Sequence, residues 1–401
     1  MLLLTLTLLA TDIIVSPAGP IRSVAEAVRL AAPGDRIVVR AGRYEEGPIV
    51  IDKRLTLMGE GRPEIRGRGG YMLIHVTADS VALRGLVLSH VDPSQVEDRA
   101  VLKFDGVRGC VAEDLEIREG FYGIYVAGSR DCRLERNRVT GPGRAELYSG
   151  NAIHLWNSRD MVLRDNLVTG HRDGLYFEFV RATEITGNRS EDNVRYGLHF
   201  MFSDSCDYRK NVFSRNGAGI AVMYTRFLTV TENRFEHNRG PTAYGLLLKE
   251  ISDSRLEGNT FKDNTVGLLF EGGGRNVVTG NAFADNGWAI RLMANSIENR
   301  FEANSFAGNS FDVATNSQSN YSVFAGNWWD RYQGYDLDRD GRGDVPFRPV
   351  RLFSLLVARN TPAVIMLRSF FVDLLDAAER VLPVLTPETL VDATPLMERP
   401  R

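Results

Sequence analysis

An asparagine returns along the middle of this chain every 22 residues or so, and no other feature of the sequence limits the fold as tightly. The row runs Asn137, Asn166, Asn188, Asn211, Asn233, Asn259, Asn281, Asn304, Asn327, with steps of 29, 22, 23, 22, 26, 22, 23 and 23. An apolar or aromatic residue stands two places after each, except at Ser190. A second row follows the first: Gly123-Ile-Tyr-Val, Ala152-Ile-His-Leu, Gly174-Leu-Tyr-Phe, Gly197-Leu-His-Phe, Gly219-Ile-Ala-Val, Gly245-Leu-Leu-Leu, Gly267-Leu-Leu-Phe and Ala289-Ile-Arg-Leu. From this row to the next asparagine the distance is 14 residues, and 15 only for the last. The length variation therefore falls at one corner of the repeat.

A unit this short cannot bury its own apolar face, whereas stacked units share a continuous core with strands about 4.8 Å apart. The expected fold is a right-handed parallel β-helix, all-β, over residues 16–330. Period-2 alternation points Ile124, Val126, Ile153, Leu155, Leu175, Phe177, Leu198 and Phe200 inward. The asparagines read as an internal ladder of stacked amides. Ser23-Val-Ala-Glu26 has the spacing of a capping box, so a short helix is expected over the open N-terminal end. Three long corners, 91–99, 141–149 and 237–243, are expected on one side of the coils. A net charge of −3 and 43% hydrophobic residues describe a folded chain with no basic signature of a nucleic-acid partner.

The outward positions of the second row form a stripe: Tyr125, His154, Tyr176, His199, and beside them Trp156, Glu178, Met201, Met223. Imidazole and thioether suit soft Cu(I). His154 and His199 stand two coils apart, about 10 Å, while Met201 and Met223 are on adjacent coils with His199 close by. The stripe is expected to be exposed. It serves either a transient Cu(I) contact or, as a packed aromatic and methionine surface, a docking partner. Polysaccharide cleavage, the rival activity for such a fold, needs two carboxylates set some 5–10 Å apart, and Glu178 has no acidic neighbour in its row. Cys110, Cys132 and Cys206 fall in an inward row as buried thiols; Cys110 and Cys132, on neighbouring coils, are within reach of a disulfide.

Residues 331–349 form an acidic segment in which Asp336, Asp338, Asp340 and Asp344 follow the start of a calcium loop, with Gly341 at the sixth place. Phe347 occupies the place of the expected bidentate acid, so a solvated acidic loop is the alternative to Ca2+. Residues 350–401 change character. Val364, Ile365, Leu367, Phe370, Phe371 and Leu374 cover more than one helical stripe, as expected of a segment docked on a membrane-associated partner or a bilayer surface. Residues 1–15 are signal-like: an apolar stretch at 2–10, with no preceding Lys or Arg.

The stretch Ser23–Gly61, with AAPGDRIVVRAGRYEEGPIVIDKRLTLMGEG, resembles the start of carbohydrate-binding and sugar-hydrolase (CASH) type β-helix proteins. With DLDRDGRGD ahead of Pro346, RNTPAV, and the tail VLPVLTPETL and PLM, the whole chain resembles the periplasmic copper-binding NosD family, maturation proteins for nitrous oxide reductase. That resemblance implies a non-enzymatic periplasmic protein, held at the inner membrane by the membrane and ATPase subunits of an ABC transporter. It further implies work with a copper chaperone to supply the reductase. It transfers no catalytic residue onto this sequence.

Overall fold

The computed structural model describes residues 12–94, 96–143, 149–317, 321–367, 369–382 and 390–400. The apolar stretch 2–10, residues 144–148 of the second long corner, Arg368 and residues 383–389 of the tail lie outside them. The chain is an all-β parallel solenoid of about 13 turns. Its coils fall into two compact units, Met1–Tyr176 and Phe177–Arg401.

In the first unit each coil lays down three short strands. Val111–Glu113, Glu116–Gly120 and Tyr122–Ala127 pair in parallel with Arg133–Glu135, Arg138–Thr140 and Asn151–Trp156 of the next coil. Between the first and second strands the chain bends through one left-handed residue, such as Asp114 or Arg136 at φ 53. The side chain at the corner then satisfies the backbone that the bend frees: Asn137 Nδ2 donates to the Ala112 carbonyl at 2.9 Å and to Asn166 Oδ1 at 2.9 Å. Helix α1, Val24–Leu30, covers the open end with Val24, Ala27 and Val28 buried. Ser23 caps it by accepting from the Glu26 amide at 3.2 Å. The acid completing the cap is Glu46 of the first coils, which accepts from the Ser23 hydroxyl and the Val24 amide.

The second unit repeats this plan, and its ladders are longer. Asn211, Asn233, Asn259, Asn281, Asn304 and Asn327 link amide to amide at 2.9–3.0 Å. Beside them Phe213, Phe235, Phe261, Phe283, Phe306 and Trp329 stack with centroids 4.1–5.7 Å apart. A second asparagine ladder, Asn193 to Asn309, lines the corner leading into the third strand. At that corner the backbones approach closely. A Cβ on Gly219 would lie 2.1 Å from the Gly245 carbonyl oxygen, and one on Gly267 2.6 Å from that of Ala289.

The long corners 91–99 and 141–149 of the first unit, and 237–243 of the second, all join the second strand of a coil to the third, as the spacing predicts. The last strand is Trp328–Trp329. The tail returns to it: fully buried Asp392 accepts from Asn327 Nδ2 at 3.0 Å and from the Trp329 indole at 3.1 Å. Part of the 350–401 segment therefore closes the solenoid.

The helical part differs from expectation as well. Helix α2, Leu352–Arg359, lies on the outer face of the third strands, where Phe353 and Val357 pack with Val372 of helix α3, Phe370–Val381, against Phe311 and Trp288. Part of the segment expected on a partner or bilayer is thus covered by the chain's own aromatic outer face.

Candidate functional site

The predicted stripe lies on the outer face of the third strands. Its register is as expected, with Tyr125 opposite His154 and Ala127 opposite Trp156 in the first unit, and Met201 opposite Met223 in the second. Its exposure is not. Tyr125, His199, Ala221 and Leu247 are buried, and His154 and Tyr176 are partly covered. The cause is a neighbouring column that strict alternation misses. The tight glycine corner turns Tyr196 and Tyr244 to the outer face, where Tyr196 lies 4.9 Å from the His199 ring. Ala218, Ala221, Tyr244, Leu247 and Val266 form one apolar cluster there, with Met223 packed against it.

In the first unit His154 sits in an aromatic column, stacked on Tyr125 at 4.5 Å and edge-on to Tyr176 at 4.7 Å. Burial, aided by the charge on Arg172, pulls its pKa down to about 3, so the ring is neutral at physiological pH. Arg172 donates to Asn151 Oδ1 at 3.0 Å, and this orients the Asn151 amide nitrogen toward His154 Nδ1 at 3.4 Å. The network then assigns the ring proton to Nε2, which is buried without a hydrogen-bond partner. In that tautomer His154 offers a metal an N–H and no lone pair at Nε2. Asp173 is wholly buried 3.4 Å from Arg172.

In the second unit His199 and Met201 share one strand and Met223 is on the next. Met201, Met223 and Glu178 are partly exposed, while His199 is buried. One place further along each coil stands a feature that the sequence analysis missed. Phe179, Phe202 and Tyr224 stack at 5.5 and 5.1 Å, each about half exposed, with φ of 57, 49 and 56. Other coils place Gly106, Gly128 or Gly272 at this left-handed bend, where a glycine is free of strain. Three consecutive aromatics there could have been noticed, because a bulky side chain at such a bend costs about 1 kcal/mol or more.

The three cysteines are buried free thiols, and burial pushes Cys206 up to about 12. Cys132 Sγ accepts from the Cys110 amide at 3.3 Å, so the pair meets without a disulfide. In the acidic segment the carboxylates of Asp336, Asp338 and Asp340 converge within 4.8 Å. Asp344 stands apart from this group: it accepts from the Leu337 amide at 2.7 Å and closes the loop. Of the six apolar residues assigned to docking, Leu367 packs inward against the α2 cluster. The other five are exposed, most of all Ile365 (89%) and Phe370 (80%). No helix among the described residues is long and apolar enough to cross a membrane.

Residues 135–334 match the NosD family model, described as periplasmic copper-binding protein. A probable ABC transporter binding protein NosD of Pseudomonas aeruginosa is 31% identical, over 98% of this chain and 95% of its own length. The Stutzerimonas stutzeri protein of the same name is 29% identical, over 90% and 86%. Among solved structures, the catalytic unit of a GH87 α-1,3-glucanase from Streptomyces thermodiastaticus aligns with TM-score 0.66 at 16% identity, over 80% of this chain and 70% of that one. The A-module of the Azotobacter vinelandii mannuronan C-5 epimerase AlgE4 aligns with TM-score 0.53 at 16% identity, over 76% and 88%. At such identity the two enzymes speak for the fold alone.

Proposed function

The chain belongs to the NosD family, and on that premise we propose that it is a periplasmic, non-enzymatic component of an ABC-transporter complex that matures nitrous oxide reductase. In this reading it docks a copper chaperone and assists the passage of copper, as cargo, to the reductase. The observation that carries the docking role is the exposed apolar surface of Ile365, Phe370, Phe371 and Leu374, held on helices that are themselves anchored to the solenoid. Helix α3 has 12 residues, about 18 Å, too short to span a bilayer, and in this reading membrane association runs through transporter subunits. ATP hydrolysis would belong to the partner, because the sequence contains no P-loop. The partly exposed pair Met201 and Met223 supplies the soft surface for Cu(I) transfer, with His199 two residues along the strand from Met201.

The test is affinity capture of the tagged protein from denitrifying membranes, with mass spectrometry of what co-purifies. The wild type should bring down transporter membrane and ATPase subunits, and Ile365→Glu/Phe370→Glu should lose them. Wild-type protein that returns free of transporter subunits would overturn the reading. So would release of reducing or unsaturated sugars from uronate polymers, which is expected to be nil.

A further inference from the structure

A groove of about 540 Å³ crosses the outer face of the third strands in the second unit. Its floor is apolar: Tyr244, Leu247, Val266, Leu269 and Trp288. Pro241–Ala243 of the long corner and Ser354 and Val357 of α2 also line it. Lining residues come from four successive coils, so the groove is about 14 Å long, the reach of about four extended residues.

Arg291 stands on this floor, partly buried, with its guanidinium over the Trp288 ring at 5.7 Å. Its neighbours by sequence have acids: Arg275 pairs with Asp253 through two bonds of 2.7 Å, and Arg300 pairs with Glu302. Among the described residues no carboxylate is paired with Arg291, and the acid of the groove, Glu271, faces Lys249 at 3.6 Å. Burial alone acts on the Arg291 guanidinium and lowers its pKa, with no acid raising it. A desolvated cation without a counter-charge is unfavourable by itself, and a bidentate carboxylate matches its planar fork.

We propose that this groove binds an extended acidic–apolar segment of a partner protein, with a carboxylate on Arg291 and aliphatic side chains on Leu247, Leu269 and Trp288. The apolar floor sets the side chains that neighbour the carboxylate, and Arg291, the one cation among the described lining residues, sets its charge. The inference rests on the docking role above and assigns a second surface to it, lined by residues other than Ile365 and Phe370.

The probe is fluorescein-labelled Leu-Asp-Leu-Phe-amide, read by anisotropy against the full-length protein, with the Asn-for-Asp peptide as its partner. Wild type should bind the Asp peptide at least 10-fold more tightly. Arg291→Gln should lose that preference while binding the Asn peptide as wild type does, and Arg291→Lys should keep part of it. Unfolding temperature and retained capture of transporter subunits show that Arg291→Gln remains folded and docked. Equal affinity for the two peptides, no saturable binding up to about 1 mM, or an unchanged preference in Arg291→Gln would each overturn the proposal. Arg291 would then serve only to pack on Trp288. Loss of transporter capture in wild type, with peptide discrimination intact, would overturn the transporter role and leave the groove standing.

Discussion

Replacing Asn259 by alanine cuts the internal ladder at its middle. The Asn259 side chain donates to the Val230 carbonyl at 2.8 Å and to Asn281 Oδ1 at 2.9 Å, and accepts from the Asn233 amide at 2.9 Å and the Asn233 side chain at 3.0 Å. All four bonds are buried. At a net 0.5–1.5 kcal/mol each, their loss removes about 2–6 kcal/mol, toward the upper end because the Val230 carbonyl and the Asn233 amide lose their partners away from water. For a body of this size that corresponds to a fall of roughly 5–20 °C in unfolding temperature. Circular dichroism melting, with calorimetry, measures it. Exposed Asn295 is the control, and its alanine variant should change stability by less than about 0.5 kcal/mol. If Asn259→Ala melts within 1 °C of wild type, the amides are not what holds the coils in register.

Two further outcomes follow from buried and clustered acids. Asp312 is buried, and desolvation pushes its pKa from 3.8 to about 6 despite the attraction of Arg331. A raised folded-state value means the native state holds the proton more tightly. The associated stability is present below pH 3.8 and is lost as pH rises through about 6, by roughly 3 kcal/mol. Asp312→Asn should therefore gain stability over wild type between pH 4 and pH 7, and an equal difference at both pH values in denaturant titrations would refute this. In the acidic segment, Tb3+ at up to about 1 mM should show saturable luminescence sensitised by Tyr335, displaced by Ca2+ and abolished by Asp336→Asn/Asp340→Asn. Absence of saturable emission removes calcium from the account of this loop.

The solenoid was legible because every coil repeats one demand. Where the chain bends between the first and second strands, a buried backbone group needs an amide, and beyond it the core needs an apolar side chain. A period of about 22 residues therefore carries Asn259 and Phe261, or Asn281 and Phe283, in plain order. The capping helix was legible for the same local reason, since Ser23 needs only its own first turn, although its acidic partner Glu46 comes from a strand corner 23 residues away.

The site was less legible, because exposure on an outer face is set by whatever returns to cover it. Alternation placed His199 outward correctly and could not show that Tyr196, turned out by a glycine corner, would lie against it. The apolar stretch from 350 onward announced that it must be buried against something, and only the fold showed that Trp288 and Phe311 take one side of it and leave Ile365 and Phe370 bare. In sequence Arg291 is one arginine among the many along the coils. That no acid is paired with it among the described residues depends on four coils and a helix meeting around it. By itself, the sequence determined the coil, its ladders and its family, since those follow from short-range periodic contacts repeated in register. The tertiary structure alone decided which outward side chains meet water, because that depends on segments far apart in the chain folding back onto one face.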